Sequence, residues 1–276
     1  MTDAHCHPMA LAEIFPESEA ERRALGIVCA ASSTTEAEFV RHERLAEQAR
    51  AEGAPPLLPC FAVHPQAPDA GDDVGLFKPL LELLEKLAAR GRLSAVGETG
   101  FDLYDPAFRE TEKLQDELFA RHLETALEYG LPLVLHVRRA MHKIFARSAQ
   151  LKKLPAVIFH SWPGTLGEGE ALLRRGINAY FSFGAVILLN HKEARRCCAS
   201  FPAERLLTET DAPYQPLRGR EFSRWADLPR ILLGMAELRR EGGGPGGSAR
   251  DVRVEDLEKT VDGNFRRAFS RTGPGV

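Results

Sequence analysis

Short apolar runs rich in β-branched residues alternate along the chain with longer segments in which apolar positions recur every three or four residues. This is the pattern of repeated βα units around a parallel sheet. Eight such runs stand out: Thr2 to His5, Ile27 to Ala31, Leu57 to Val63, Ser94 to Glu98, Leu131 to His136, Ala156 to His160, Asn178 to Phe183 and Leu206 to Thr210. Eight is the strand number of the TIM-type barrel, so the pattern predicts an α/β fold of the (β/α)8 kind. Between the runs, Leu114, Leu118, Leu123 and Leu127 describe one apolar helical stripe, and Val254, Leu257, Val261, Phe265 and Phe269 describe another. Gly130 and Pro132 stop the first of these helices just before a strand begins.

A chain of 276 residues, 44% of them hydrophobic, buries a core large enough for one barrel, and a single domain over residues 1–276 is expected. The glycine-rich stretch at 242–248, GGGPGGS, reads as a loop between two terminal helices, because the roughly 28 residues after it are too few for a second domain. No apolar run is long enough to span a bilayer, and the start MTDAHCHPM lacks the basic and apolar regions of a signal peptide, so the cytoplasm is the expected location. Five cysteines, with Cys197 and Cys198 adjacent, suit reduced thiols better than a disulfide framework. No segment stands out as a dimer interface, and a monomer is expected. The 36 basic and 39 acidic residues leave a net charge of −3, so a nucleic acid must be held by a local patch and not by a global basic field.

The chemistry-bearing residues fall in one kind of place, the carboxyl ends of the predicted strands, where barrel enzymes build their active sites. His5 and His7 end strand one, Glu98 strand four, His136 strand five and His160 strand six, while Asp211 lies just past strand eight. Strand alternation points His5 and His7 to one side and Cys6 to the other, so the two imidazoles can share an ion and Cys6 is a packed thiol. Nitrogen donors mixed with carboxylates suit divalent ions such as Zn²⁺ or Mn²⁺, with Mg²⁺ also open. The natural division is two ions sharing Glu98, one with His5, His7 and Asp211, the other with His136 and His160. Such a pair activates a water and holds both the attacking and the leaving oxygens of a phosphoryl displacement, with Asp211 the carboxylate that orients or deprotonates the water.

Any one histidine is more often structural than a ligand, and His42, His122, His142 and His191 lie inside helical segments. His64, after strand three, stands at the barrel mouth, where it can contact substrate. Asp102 is read either as a substrate contact or, with Tyr104 and the following Asp105–Pro106, as part of a turn. Gly97 and Gly100 in VGETGFD match no phosphate-loop pattern and answer to tight backbone geometry.

In order along the chain stand DAHCH at 3–7, AVHP at 62–65, VGETGFD at 96–102, LHVR at 135–138, FHSW at 159–162 and TETDAPY at 208–214. Together they resemble the TatD family of metal-dependent deoxyribonucleases, from Asp3 to the NFRRAF segment at 264–269. The resemblance implies a barrel of the metallo-dependent hydrolase type, a divalent metal centre, and cleavage of phosphodiester bonds in DNA, often from single-stranded 3′ ends, with RNA as a further possible substrate. It implies metal ligands at His5, His7, Glu98, His136, His160 and Asp211. Substrate contacts are expected at His64, Asp102, Arg138 and Tyr214. The chain departs from the family's pattern at Arg139, where an Asp usually follows the HxR triplet, at HSW in place of HCF, and at GREFSRW in place of an Arg-Asn-Glu-Pro segment. Arg138, Arg139, Arg218, Arg220 and Arg224 are candidates for the local phosphate patch, with a solvated basic loop as the alternative. Two other functions remain open at this stage: hydrolysis of an amide, ester or lactone by the same metals, and an inactive barrel serving as an interaction scaffold.

Overall fold

The structure is a computed structural model that describes residues 1–66, 74–242 and 251–270. All eight predicted strands form: β1 Thr2–Cys6, β2 Val28–Ser33, β3 Leu57–Phe61, β4 Ala95–Asp102, β5 Leu133–Arg138, β6 Val157–Phe159, β7 Ala179–Phe183 and β8 Leu206–Thr208. They pair in parallel, in chain order from β1 to β8. The ring is brought together by polar contacts between its ends. Thr208 Oγ1 donates to Thr2 O at 2.7 Å, Asp211 N–H to His5 O at 3.0 Å, and Thr210 Oγ1 to the buried Asp3 carboxylate at 2.6 Å. The predicted (β/α)8 barrel is therefore the fold.

One buried cluster takes a side chain from every strand: Ala4, Ala30, Cys60, Ala95, Val134, Ile158, Tyr180 and Leu207. Phe265, Ala268 and Phe269 of the last helix, Val254–Ala268, and its C-cap complete the cluster. These strand positions precede the chemistry-bearing ones, so the last helix seals the amino end of the barrel and leaves the carboxyl end open. The helix predicted around Leu118 spans Glu112–Glu128 and buries Leu114, Leu118 and Leu123. Gly130 follows it at φ 59°, a conformation that costs other residues more. The loop expected at 242–248 lies, Gly242 apart, outside the described residues.

Four strands run further than predicted, β1 by one residue and β2 by two, and the other two extensions bear on the site. β4 continues four residues past Glu98 to Asp102, and β5 continues two past His136 to Arg138. Glu98 thus sits within its strand, not at its end. Between Val96 and Thr99, three positions of β4 advance against two of β5, a bulge of the kind that re-aims a side chain beside an active site. Gly100 serves close approach: a Cβ there would overlap the carbonyl oxygen of His136.

His42 and His122 are buried and structural, as their helical settings indicated. His122 accepts from Val63 N–H through Nε2 at 2.9 Å and meets Leu118 O through Nδ1 at 2.6 Å, which uses both nitrogens of a neutral ring. Burial pushes its pKa down to about 4. In the unfolded chain the ring takes up its proton near 6.5, so its contribution to stability is full above that pH and is lost as the pH falls from 6.5 toward 4, up to about 3 kcal/mol. The denaturant midpoint is therefore expected to fall between about pH 7.5 and about pH 4.5, and to fall less in His122→Gln. Equal falls in the two proteins would remove His122 from the account.

Candidate metal centre

Glu98 is buried among imidazoles, and its two oxygens face different ones. Oε2 lies 3.1 Å from His5 Nε2 and 3.8 Å from His7 Nε2. Oε1 lies 2.9 Å from His136 Nδ1, 3.2 Å from His64 Nε2 and 3.4 Å from His160 Nε2. Asp211 closes the first half, with Oδ1 3.5 Å from both His5 Nε2 and His7 Nε2. All six residues read as ligands from the strand ends therefore converge, and His64 joins them.

The outer nitrogens sort these rings. His136 presents Nε2 to the Asp102 carboxylate at 3.1 Å and Nδ1 to Glu98 Oε1 at 2.9 Å, so with the proton on the Asp102 side Nδ1 can offer its lone pair to a cation. His160 presents Nδ1 to Glu209 Oε1 at 3.3 Å, a charge contact with poor hydrogen-bond alignment, which leaves Nε2 as the donor atom. His64 is the reverse. Its Nδ1 accepts from Gln66 N–H at 3.1 Å, so the neutral ring carries its proton on Nε2 and points an N–H, not a lone pair, at Glu98.

The donor set fits a divalent cation. His5 Nε2 and His7 Nε2 face each other at 3.1 Å, and the His5 and His160 rings lie 4.0 Å apart, an arrangement in which protons on several rings repel. Burial pushes His5 down. For His160, burial also works downward, but Glu209, Glu98 and Asp211 outweigh it and hold the ring at about 10. The carboxylates respond in turn. Burial raises Glu98 and Asp211, yet the neighbouring imidazoles bring both below their ordinary values, Glu98 well below. A dication satisfies converging lone pairs and carboxylates without protons. Three groupings have donor atoms within metal-binding reach of one another: His5, His7 and Glu98; His5, His160 and Asp211; and His64, Glu98 and His136. The tautomer argument removes His64 from the last.

Asp102, expected at the substrate, lies instead behind His136. It is fully buried, and its Oδ2 takes His136 Nε2 and, at 2.6 Å, Gln66 Nε2, while Oδ1 takes Tyr104 N–H at 2.9 Å. Burial raises the Asp102 pKa, but these partners outweigh it and bring it to about 2. Glu209, which strand reading passed over, stands two positions before Asp211 and sets its Oε1 against His160 Nδ1. Gln215 donates to Asp211 Oδ2 at 2.9 Å and bonds Ser161 Oγ at 3.0 Å, turning Oδ1 toward His5 and His7. Asp211, Ser161 and Arg139 have φ of 50°, 44° and 55°, left-handed backbone at the exits of β8, β6 and β5 that composition does not reveal. Because carboxylates that brace ligating imidazoles raise metal affinity, Asp102→Asn and Glu209→Gln are each expected to weaken the ion beside His136 and His160 about 10- to 100-fold, read by calorimetric titration with Mn²⁺. Wild-type affinity in both variants would show that the bracing is idle.

The cluster opens into a cavity of about 1260 Å³ lined by His64, Arg138, Arg139, Tyr104 and Tyr214 among others. The five-arginine patch divides. Arg138 and Arg139 line the cavity, whereas Arg220 pairs with Asp227 at 3.8 Å and Arg224 pairs with Glu21 at 2.7 Å. Arg218 is exposed and does not line the cavity. Cys6 is buried with Sγ on Ala30 O at 3.3 Å, a packed thiol.

A parallel barrel with such a histidine and carboxylate cluster at the carboxyl ends of its strands is the frame of a metal-dependent hydrolase. The chain belongs to the TatD-related DNase family, whose sequence profile matches residues 2–270. It is 32% identical over 249 residues to the "uncharacterized metal-dependent hydrolase YjjV" of Escherichia coli K12, covering 87% of this chain and 90% of that protein. It is 34% identical over 194 residues to the "3′-5′ ssDNA/RNA exonuclease TatD" of Pantoea ananatis, covering 67% and 69% of the two. The crystal structure of the E. coli YjjV protein superposes with a TM-score of 0.76 at 25% identity, over 98% of this chain and 97% of that one. An uncharacterized amidohydrolase from Saccharomyces cerevisiae superposes with a TM-score of 0.75 at 17% identity, over 97% and 99%, and shares the fold. Among the described residues no helix is long and apolar enough to cross a membrane.

Proposed function

We propose that this chain is a phosphodiesterase that removes nucleotides from the 3′ end of single-stranded DNA, with two divalent ions, Mg²⁺, Mn²⁺ or Zn²⁺, bridged by Glu98. One observation carries the reading: the two oxygens of Glu98 are parted between His5 and His7 on one side and His136 and His160 on the other. A carboxylate placed in that way bridges two sites. The nuclease names of relatives, such as the Pantoea ananatis protein, favour a phosphodiester over a carbonyl substrate.

When bound, the ions lower the pKa of a water and offset charge on the phosphoryl oxygens. His5, His7 and Asp211 hold one side, and His136 and His160 the other. Asp211 orients the water and takes its proton on Oδ1, because Gln215 already occupies Oδ2. His64 directs its Nε2–H toward the cluster and is placed to donate to a phosphoryl oxygen. Arg138 supplies a guanidinium at the cavity wall, and Tyr214, 61% exposed with its ring 5.0 Å from that of His7, offers a face for a base.

The test is release of labelled nucleotide from a 3′-labelled single-stranded oligonucleotide with each metal and with a chelator. Metal-dependent release that the chelator stops is the expected result. No release with any metal, in protein shown by elemental analysis to carry it, overturns the reading.

A further inference from the structure

Tyr104 lies two residues past the end of β4, and its ring, 44% exposed, carries two guanidinium groups. Arg138 Cζ is 3.8 Å from the ring centroid and Arg139 Cζ is 4.4 Å from it. Consecutive residues of a strand send their side chains to opposite faces. Here the left-handed turn at Arg139, φ 55°, ends that alternation and brings the second arginine onto the same ring as the first. Residues other than glycine adopt that conformation only at a cost, and the result is two guanidinium groups in contact with one ring. Neither guanidinium is in ion-pair contact with a carboxylate among the described residues, whereas Arg22, Arg23, Arg92, Arg121, Arg220 and Arg224 all are. Both line the cavity that holds the Glu98 cluster.

The pair also stands away from the reacting centre. Arg138 is two positions beyond His136, roughly 7 Å further along β5, and its head turns outward again to reach Tyr104. An anion held there is not the one under the metal-type ligands. Guanidinium forks bind phosphate oxygens bidentately, and stacking on tyrosine orders them beforehand. A cavity of about 1260 Å³ exceeds the usual pocket of one small ligand, roughly 300–1,000 Å³, and so has room for more than one nucleotide unit.

We propose that Arg138, Arg139 and Tyr104 form a second anion subsite, which holds the phosphate next to the one cleaved on a single-stranded polynucleotide; this rests on the phosphodiesterase reading above. Arg139 is the decisive residue.

The experiment titrates the metal-loaded protein against a fluorescein-labelled phosphorothioate oligothymidylate, whose linkages resist hydrolysis, and follows anisotropy across a series of salt concentrations. Arg139→Ala is expected to lower affinity roughly 5- to 10-fold at low salt, the usual loss for one charged hydrogen-bonding group at an accessible site. It is also expected to make the slope of log K against log salt shallower by about 0.7, the value of one phosphate contact on a single strand. Arg174→Ala, which removes a charge from an outer helix where Arg174 pairs with Glu170, is the control and should leave the slope as it is. In turnover, Arg139→Ala should raise KM for a thymidine trinucleotide more than for bis(p-nitrophenyl) phosphate, which has a single phosphate. An unaltered slope in Arg139→Ala, or no salt-dependent binding by the wild type, overturns the subsite. Binding that weakens as expected, in a protein that hydrolyses no phosphodiester with any metal, upholds the arginine pair as an anion site and overturns the phosphodiesterase reading instead.

Discussion

Glu98→Ala is expected to lose bound metal and at least about a thousandfold in turnover. The size follows from the carboxylate's position. One oxygen faces His5 and His7, the other faces His136, His64 and His160, and so a single truncation strips a ligand from each half of the centre. Metal centres of this kind supply several kcal/mol of transition-state stabilisation, and about 4 kcal/mol corresponds to a thousandfold. The measurement is metal content per chain by elemental analysis beside turnover of the labelled oligonucleotide. Two ions retained with turnover within tenfold of wild type would show that Glu98 bridges nothing. The imidazoles would then have to hold the ions with Asp211 alone.

Asp211→Asn separates holding from reacting. The side chain keeps its shape and an oxygen that can still face His5 and His7, while its negative charge and its capacity to accept a proton are lost. General bases contribute about 10²- to 10⁴-fold, so turnover is expected to drop by that factor while the circular dichroism spectrum and the melting temperature stay close to wild type. The ion beside His5 and His7 is expected to bind more weakly, so saturating Mn²⁺ must be present when the rate is read. If turnover is near normal under those conditions, the proton goes elsewhere and Asp211 is not the base.

Much of this centre is legible in the sequence because a parallel barrel imposes a simple rule: what ends a strand faces the open end. His5, His7, His160 and Asp211 obey it, standing at or close to the ends of their strands, and His136 lies two residues before the end of β5 on the same open side. Glu98 belongs to the same site for a different reason. Its strand does not end there; the bulge between Val96 and Thr99 accompanies its turn inward, and Gly97 within it is the one residue type that hints at a bulge. Asp102 shows the limit of the rule. Continuing β4 to Asp102 places that carboxylate behind His136, and a strand predicted to stop at Glu98 leaves it free to be read as a substrate contact. Glu209 was within reach, two positions from Asp211 in TETDAPY, but a bracing carboxylate and a ligating one look alike until the imidazole nitrogens are assigned. Arg224 looked like part of a phosphate patch because its acidic partner, Glu21, is remote in sequence. Left-handed backbone at Ser161, Arg139 and Asp211 has no signature in residue type at all.

The seam between the first and last strands has a further consequence for the life of the molecule. Asp3 meets Thr210 across 207 residues of chain, and the same closure brings His5 and His7 to Asp211. A copy whose ring has sprung open therefore keeps His5 and His7 apart from Asp211. Contacts of such long sequence separation form late in folding. The metal-type site is thus complete only in a chain whose ring has closed.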